Sequence, residues 1–345
     1  MAPLIKVAIV GASGETGQSI VNGLLSSSDA NFVCATNFII YSLQIAYIQQ
    51  EIKALTRPES VSKPINEDLK SRGVEIVPVN LSGPLDKLIE VLSGVDVVIS
   101  AIFFGSLGDE IPLANAAKAA GVKRFVQSAF MVVIPPRGVV DFREKKEENF
   151  NYIQKIRLPY TYIDAGWWYQ ITLPRLPSGR LDYLLPASQP EQPIGLDGTV
   201  PSALADIRDV GRYVAKIITD PRALNKKVHV YNEVHTRDQV YDLLESVSGE
   251  KLDRQYISEA DAKGRIEKAR LALEQNPADS SAFGMLSVSQ LFFSWGIRGD
   301  NTPEYAAYLG YLSSKDLYPD FEFTTLKDYM IEAIGGKGKG VYQGR

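Results

Sequence analysis

Three glycines spaced by three, Gly11, Gly14 and Gly17, separate an apolar run from Leu4 to Val10 from a segment with apolar residues at Ile20, Val21, Leu24 and Leu25. A strand, a glycine turn and a helix in that order can hold a pyrophosphate. The first glycine permits the tight turn, the second lets backbone approach the ligand, and the third lets the helix pack on the strand. The helix N-terminus adds N–H donors and the positive end of its dipole. The whole loop, with Ser13, Glu15 and Thr16 between the glycines, is therefore a candidate dinucleotide cradle. The plainer alternative is a strand–helix turn without a ligand. In such a cradle the end of the second strand selects the cofactor. An acidic residue accepts from the ribose 2′-OH, whereas an arginine pairs with a 2′-phosphate. The expected second strand, Glu51 to Arg57, ends in Arg57, and Lys63 follows closely. That pattern favours NADPH/NADP over NADH.

Reduction also needs a group that handles a proton. The pairing Tyr-x-x-x-Lys occurs at Tyr311 and Lys315, late in the second half and far from the helix where such a pair acts, so it reads as coincidental. Lys146 is the stronger candidate. It lies four residues before Phe150 and seven before Ile153, which puts it on the inward face of a helix expected from about Glu144 to Lys155. A lysine held against apolar surface is expected to have a depressed pKa and to act as general acid or base. The competing reading is a snorkelling lysine in the charged run from Arg143 to Glu148.

The elements that must position these residues alternate strand and helix through the first half. Strands are expected at Glu51–Arg57, Val74–Val79, Val95–Ser100, Val122–Ser128 and Tyr160–Ile163, with helices at Leu85–Leu92 and Ile111–Ala120. This predicts an α/β fold, a Rossmann-type doubly wound parallel sheet, followed by a smaller, mainly helical substrate-binding region. The expected division is 1–163 for the NADP-binding domain and 164–345 for the substrate region, with 205–231 packing back on the sheet. Pro- and Gly-rich sequence from Pro174 to Pro201 suits loops and short strands, and helices are expected at Ile207–Ile218, Gln239–Val247 and Ala260–Glu274. Val33–Gln50 contains no charged residue and interrupts the region between the first helix and second strand. Removing it restores the usual spacing of roughly 20 residues between the glycine loop and the cofactor-selecting position. Two readings stand open: a retained intron translated in frame, or a native helix or hairpin at the sheet edge.

The 345 residues carry 37 Lys and Arg against 41 Asp and Glu, a net charge of −4, which argues against sequence-independent nucleic-acid binding. One cysteine, Cys34, and two histidines, His229 and His235, leave little for a metal centre or a disulfide. Without a basic region and apolar core at the N-terminus, a cytoplasmic protein is expected, neither secreted nor membrane-bound, and either monomeric or homodimeric.

The chain resembles the isoflavone reductase-like, NmrA-like branch of the atypical short-chain reductases, which includes phenylcoumaran benzylic ether, pinoresinol-lariciresinol and isoflavone reductases and CipA-type fungal members. The resemblance rests on the glycine loop, Arg57, Gly94–Ser100, Ala120–Phe125, Leu158–Tyr162, Asp209–Tyr213, Asp220–Lys226 and Leu317–Asp320 with Thr324 and Thr325. It implies an NADPH-dependent reductase of a small aromatic or polyketide-like metabolite: a ketone, an enone or a benzylic ether. The family's catalytic lysine stands thirteen residues before the proline of its Pro-Tyr-Thr-Tyr strand; counted from Pro159, that is Lys146. The resemblance further implies that Ile102, Phe103 and Phe104 lie along the cofactor and that Ser128 and Phe130 flank the nicotinamide. The plant Ser-Glu-Phe-Gly is Ser128-Ala129-Phe130-Met131 here, and the next loop carries Pro135-Pro136. Those departures weigh against any particular plant substrate. Trp167, Trp168 and Tyr169 follow the sixth strand at the edge where ligands bind and are candidates for an aromatic substrate wall. The rival reading is an NmrA-like regulator that binds NADP as a redox sensor without turnover.

Overall fold

A run of small and β-branched apolar residues, Val7–Val10, forms the first strand, β1, and all four residues are buried. Strands covered on both faces need apolar residues throughout rather than alternation, and Val97–Ser100 (β4), also wholly buried, lies beside it. The computed structural model describes residues 5–27, 52–184 and 193–342. Val33–Gln50 lies outside the described residues.

Between those strands come α1 (Glu15–Ser26), β2 (Ile52–Thr56), α2 (Pro64–Ser71), β3 (Glu75–Pro78) and α3 (Leu85–Leu92). After β4 follow α4 (Glu110–Ala119), β5 (Arg124–Val126), α5 (Asp141–Lys155) and β6 (Tyr160–Ala165). Next are β7 (Trp167–Trp168), α6 (Tyr169–Thr172), β8 (Ile194–Gly195), β9 (Pro201–Ala205), α7 (Ile207–Ile217), β10 (Lys226–Val230), β11 (Glu233–Thr236) and α8 (Arg237–Ser248). The chain continues through β12 (Tyr256–Ile257), α9 (Glu259–Gln275), α10 (Ser280–Phe292), α11 (Pro303–Tyr308), β13 (Tyr311–Ser313), α12 (Ser314–Leu317) and α13 (Leu326–Ile334).

The large sheet has eight strands in the order β13-β10-β6-β5-β4-β1-β2-β3. From β3 through to β6 the pairings are parallel. The chain runs outward from β1 to β3, then restarts at β4 on the other side. The order therefore reverses between β1 and β4, and ligands of open α/β sheets bind at the carboxyl ends of such a pair.

Two compact units emerge. The first comprises Met1–Phe130, Lys146–Ile163 and Val210–Val228; the second comprises Met131–Lys145, Asp164–Asp209 and His229–Arg345. Within the first, Leu88, Leu92, Val98, Leu113, Phe125 and Ile153 share one core. Gly23 of α1 meets Gly211 of α7 so closely that a Cβ on either would overlap backbone, and the Gly211 N–H donates to Ser19 Oγ at 3.0 Å. Within the second, Tyr169, Leu173, Leu204, Leu244, Tyr329 and Met330 form a core. This unit also holds a three-stranded sheet, β11-β9-β7, and the pair β12-β8, alongside its helices.

Candidate dinucleotide and proton-transfer site

The glycine loop joins β1 to α1 as its spacing predicts, and its three glycines answer to different constraints. Gly11 has φ +80°, and a Cβ there would overlap the Ala101 carbonyl oxygen at the end of β4. A Cβ on Gly17 would overlap the Gly11 carbonyl, so this glycine sets how closely α1 approaches the loop. Gly14 is different. Its φ of −76° suits any residue, and a Cβ would meet only the Gly11 oxygen, at 3.3 Å. Packing alone makes a small demand at Gly14, which leaves that backbone open to a ligand. Gly14 is also the N-cap of α1 and has no side chain to cap it. Ser13, Glu15 and Thr16 are half-buried around it. The cradle therefore fits a pyrophosphate.

Arg57 stands one residue past the end of β2, exposed, with Nη2 donating to Ser106 Oγ at 3.2 Å. Lys63 is exposed at the N-cap of α2. An exposed arginine at that strand end suits a 2′-phosphate. Beyond β4, Ile102 is buried, while Phe103 is 61 % exposed and rests against Phe104 with ring centroids 4.2 Å apart.

Lys146 is only 4 % exposed, so the snorkelling reading does not hold. Its Nζ donates to the carbonyl oxygens of Ser128 and Ala129, the latter at 3.0 Å. Its own carbonyl accepts from Gln127 Nε2 at 2.6 Å. The lysine is thereby tied by backbone and side chain to the chain leaving β5. That chain is itself held: the Ser128 N–H donates to Glu110 Oε1 at 2.7 Å and Ser128 Oγ to the Ile102 carbonyl at 3.0 Å. Phe130 has φ +45°, uncommon for a bulky residue, and its N–H donates to the Ile163 carbonyl at 2.8 Å. Strained backbone held by surrounding hydrogen bonds concentrates at functional sites. The structure thus brings Lys146, Ser128, Phe130 and Ile102 together within one unit.

Three residues of this cluster were not singled out from sequence: Glu110, Asn149 and Gln127. Glu110 is wholly buried, and its Oε2 accepts from Asn149 Nδ2 at 3.0 Å. A signal existed for Asn149, which lies three residues after Lys146 and hence on the same helix face.

The aromatic candidates belong to the second unit. Trp167 stacks on Trp295 with centroids 5.5 Å apart, and Trp168 on Tyr342 at 6.1 Å. Tyr169 is 0 % exposed, and its hydroxyl donates to Glu233 Oε2 at 2.7 Å. Burial, reinforced by the Glu233 carboxylate, pushes its pKa well above the usual phenol value. Tyr169 is a core residue of the second unit. Tyr311 is equally engaged, donating to Asp164 Oδ2 at 2.6 Å, while Lys315 Nζ lies 3.4 Å over the Phe323 ring. Among the described residues no group of three or more His, Cys, Asp or Glu could hold a metal, and no helix is long and apolar enough to cross a membrane.

Residues 5–330 match the NmrA-like family. The chain is 54 % identical over 332 residues to the asnovolin J 5′,6′-dehydrogenase of Aspergillus novofumigatus, covering 96 % of each chain. It is 26 % identical to a phenylcoumaran benzylic ether reductase of Nicotiana tabacum, covering 96 % of this chain and 99 % of that one. Its fold is similar to that of a leucoanthocyanidin reductase from Vitis vinifera solved with NADPH, with a TM-score of 0.75, 21 % identity and 96 % and 99 % coverage.

Proposed function

The chain belongs to the NmrA-like family, and from that premise we propose that it is an NADPH-dependent oxidoreductase acting on a small aromatic or polyketide-like metabolite. The observation that carries this reading is the buried Lys146 Nζ, held on the Ser128 and Ala129 carbonyls just past the carboxyl end of β5. Gly11, Ser13, Gly14, Glu15, Thr16 and Gly17 hold the pyrophosphate, and Arg57 and Lys63 the 2′-phosphate. Ile102, Phe103, Phe104, Ser128 and Phe130 receive the nicotinamide end. When bound, NADPH supplies the hydride. Residues 1–163 serve mainly the cofactor, and 164–345 mainly the substrate.

Lys146 holds a proton at Nζ and gives it to, or takes it from, a substrate oxygen, directly or through a substrate hydroxyl. The carbonyls of Ser128 and Ala129 fix where that nitrogen stands. Trp167 and Trp168 offer flat apolar faces to a planar substrate. The relative named for asnovolin J supplies the first compound to assay, in both directions, followed by aromatic ketones, enones and benzylic ethers.

The test is NADPH turnover across that panel with Lys146→Ala beside the wild type. We expect a loss of about 10²–10⁴-fold in kcat, the usual weight of a general acid or base. NADP binding should be retained. A variant as active as the wild type rejects the role of Lys146. A second reading, an NADP-binding sensor without turnover, draws on the same hydrogen bonds, because a lysine bridging two carbonyls can be structural. Tight NADP binding with no turnover on any compound would favour it.

A further inference from the structure

Within the second unit, four polar side-chain atoms that are buried without a hydrogen-bond partner belong to residues lining one small cavity. They are Trp167 Nε1, Trp295 Nε1, Arg237 Nε and Thr172 Oγ1, whereas His235 Nε2, on the same cavity, stands 3.4 Å from Glu233 Oε1. Buried polar groups are nearly always satisfied, so four orphans around one space call for an explanation. Three are N–H donors with no capacity to accept, and the threonine hydroxyl can turn to donate. No carboxylate lines the cavity.

Arg237 supplies the charge. It is 9 % exposed and, among the described residues, forms no ion pair. Its Nη1 donates to the Thr172 carbonyl, and its guanidinium lies 5.2 Å from the centre of the Tyr241 ring. Both partners are neutral. A buried cation without a counter-charge is strongly disfavoured. Arg237 opens α8, whose end is already closed by a capping box between Thr236 and Gln239. Any ligand is therefore recognised by side chains, and the helix dipole adds to the attraction. The cavity volume is about 10 Å³, room for one water-sized centre. Trp167, Val200 and His235 around it are only half-buried, which leaves a side toward solvent.

We propose that this cavity is an anion site, with Arg237, Trp167, Trp295 and Thr172 donating to a single acceptor atom: a halide, or one oxygen of a carboxylate. The site lies wholly in the second unit and does not depend on the cofactor or on Lys146. Trp167 also belongs to the proposed substrate wall, but anion binding is read on the protein without cofactor or substrate, so its loss and the failure of the oxidoreductase reading are separate outcomes.

Bromide and acetate are the probes, titrated as sodium salts against gluconate at constant ionic strength. The readouts are tryptophan emission and the thermal midpoint of the cofactor-free protein. Bromide at the site should quench Trp167 and Trp295 saturably, beyond the linear collisional component, and raise the midpoint. Acetate that competes with bromide assigns the carboxylate chemistry, and bromide saturating alone assigns a halide site; either supports the proposal. Thr172→Val removes one donor with the side-chain shape kept, and Trp295→Phe removes one with a smaller aromatic ring; each should weaken the apparent affinity about tenfold. Arg237→Leu should abolish saturation; if it does not fold, the other two variants carry the test. Linear quenching by bromide with no effect of acetate overturns the proposal and leaves the cavity to water. So does saturation that is unchanged in both Trp295→Phe and Thr172→Val.

Discussion

Gly14 and Gly17 look alike in sequence, but their surroundings separate them. Gly17 is required by the protein's own packing, since a Cβ would overlap the Gly11 carbonyl. Gly17→Ala should therefore destabilise the fold by about 1–3 kcal/mol, as overpacking does, read as a lower denaturant midpoint. Gly14→Ala should leave that midpoint nearly unchanged and weaken NADP binding, measured by titration calorimetry, because its methyl would project into the cradle. Equal stability loss in both variants would remove the distinction. His229 makes a second case. It is 1 % exposed, stacks on Tyr231, and neither ring nitrogen has a partner. Burial drives its pKa down to about 3. The folded pKa lies below the unfolded value of roughly 6.5, so between the two the unfolded chain binds the extra proton. The stability held above about pH 6.5 is lost as pH falls toward 3, by about 1.4 kcal/mol per pH unit where the difference is full. Denaturation at pH 7, 6 and 5 should show this slope, and His229→Leu should flatten it at little cost at pH 7.

At the scale of elements, the crossing of α1 and α7 decides how the cradle is held. Their contact runs through Gly23, Gly211 and Ser19, with backbone against backbone. Gly211→Ala places its Cβ in the Ser19 carbonyl, and the helices must separate. A loss of about 1–3 kcal/mol is expected, together with weaker NADP binding, because α1 carries the glycine loop at its start. Intact binding with lowered stability would show that the loop does not depend on this crossing. The chain leaving β5 shows why strand limits were less legible than strand existence. The apolar pattern suggested Val122–Ser128, yet pairing covers only Arg124–Val126. Ser128 turns its N–H to Glu110 and Phe130 takes a positive φ, so the backbone leaves the sheet to build the site. α2 was missed although Pro64 at its first position is a legible start. β9 and β11 were not singled out either, because short strands draw their stability from each other across the pairing of Leu204 with Glu233.

At the scale of the whole molecule, distant segments are joined by buried polar contacts. In the second unit Arg143 Nη1 meets Asp164 Oδ2 at 2.8 Å, and both side chains are almost wholly buried. Tyr311 closes the triad, accepting from Arg143 Nη2 at 2.9 Å. Breaking a buried pair strands the remaining charge, so Asp164→Ala should lower stability by about 3–5 kcal/mol. Tyr311→Phe should cost only about 1 kcal/mol. Chemical denaturation of both variants checks the ranking, and equal losses would mean that the phenol matters as much as the charge. Local rules sufficed for what is local: the strand–glycine–helix order, Arg57 at the end of β2, and Lys146 on the inward face of α5 follow from spacing and periodicity within one or two turns. The sequence alone also carried the family resemblance. Only the tertiary structure decided what the Lys146 nitrogen meets, that Tyr169 and Tyr311 are engaged internally, and that Arg237 shares a cavity with Trp167 and Trp295. Those contacts join residues from 18 to 147 positions apart. No periodicity encodes such meetings, because they depend on how segments far apart in sequence pack together within a unit.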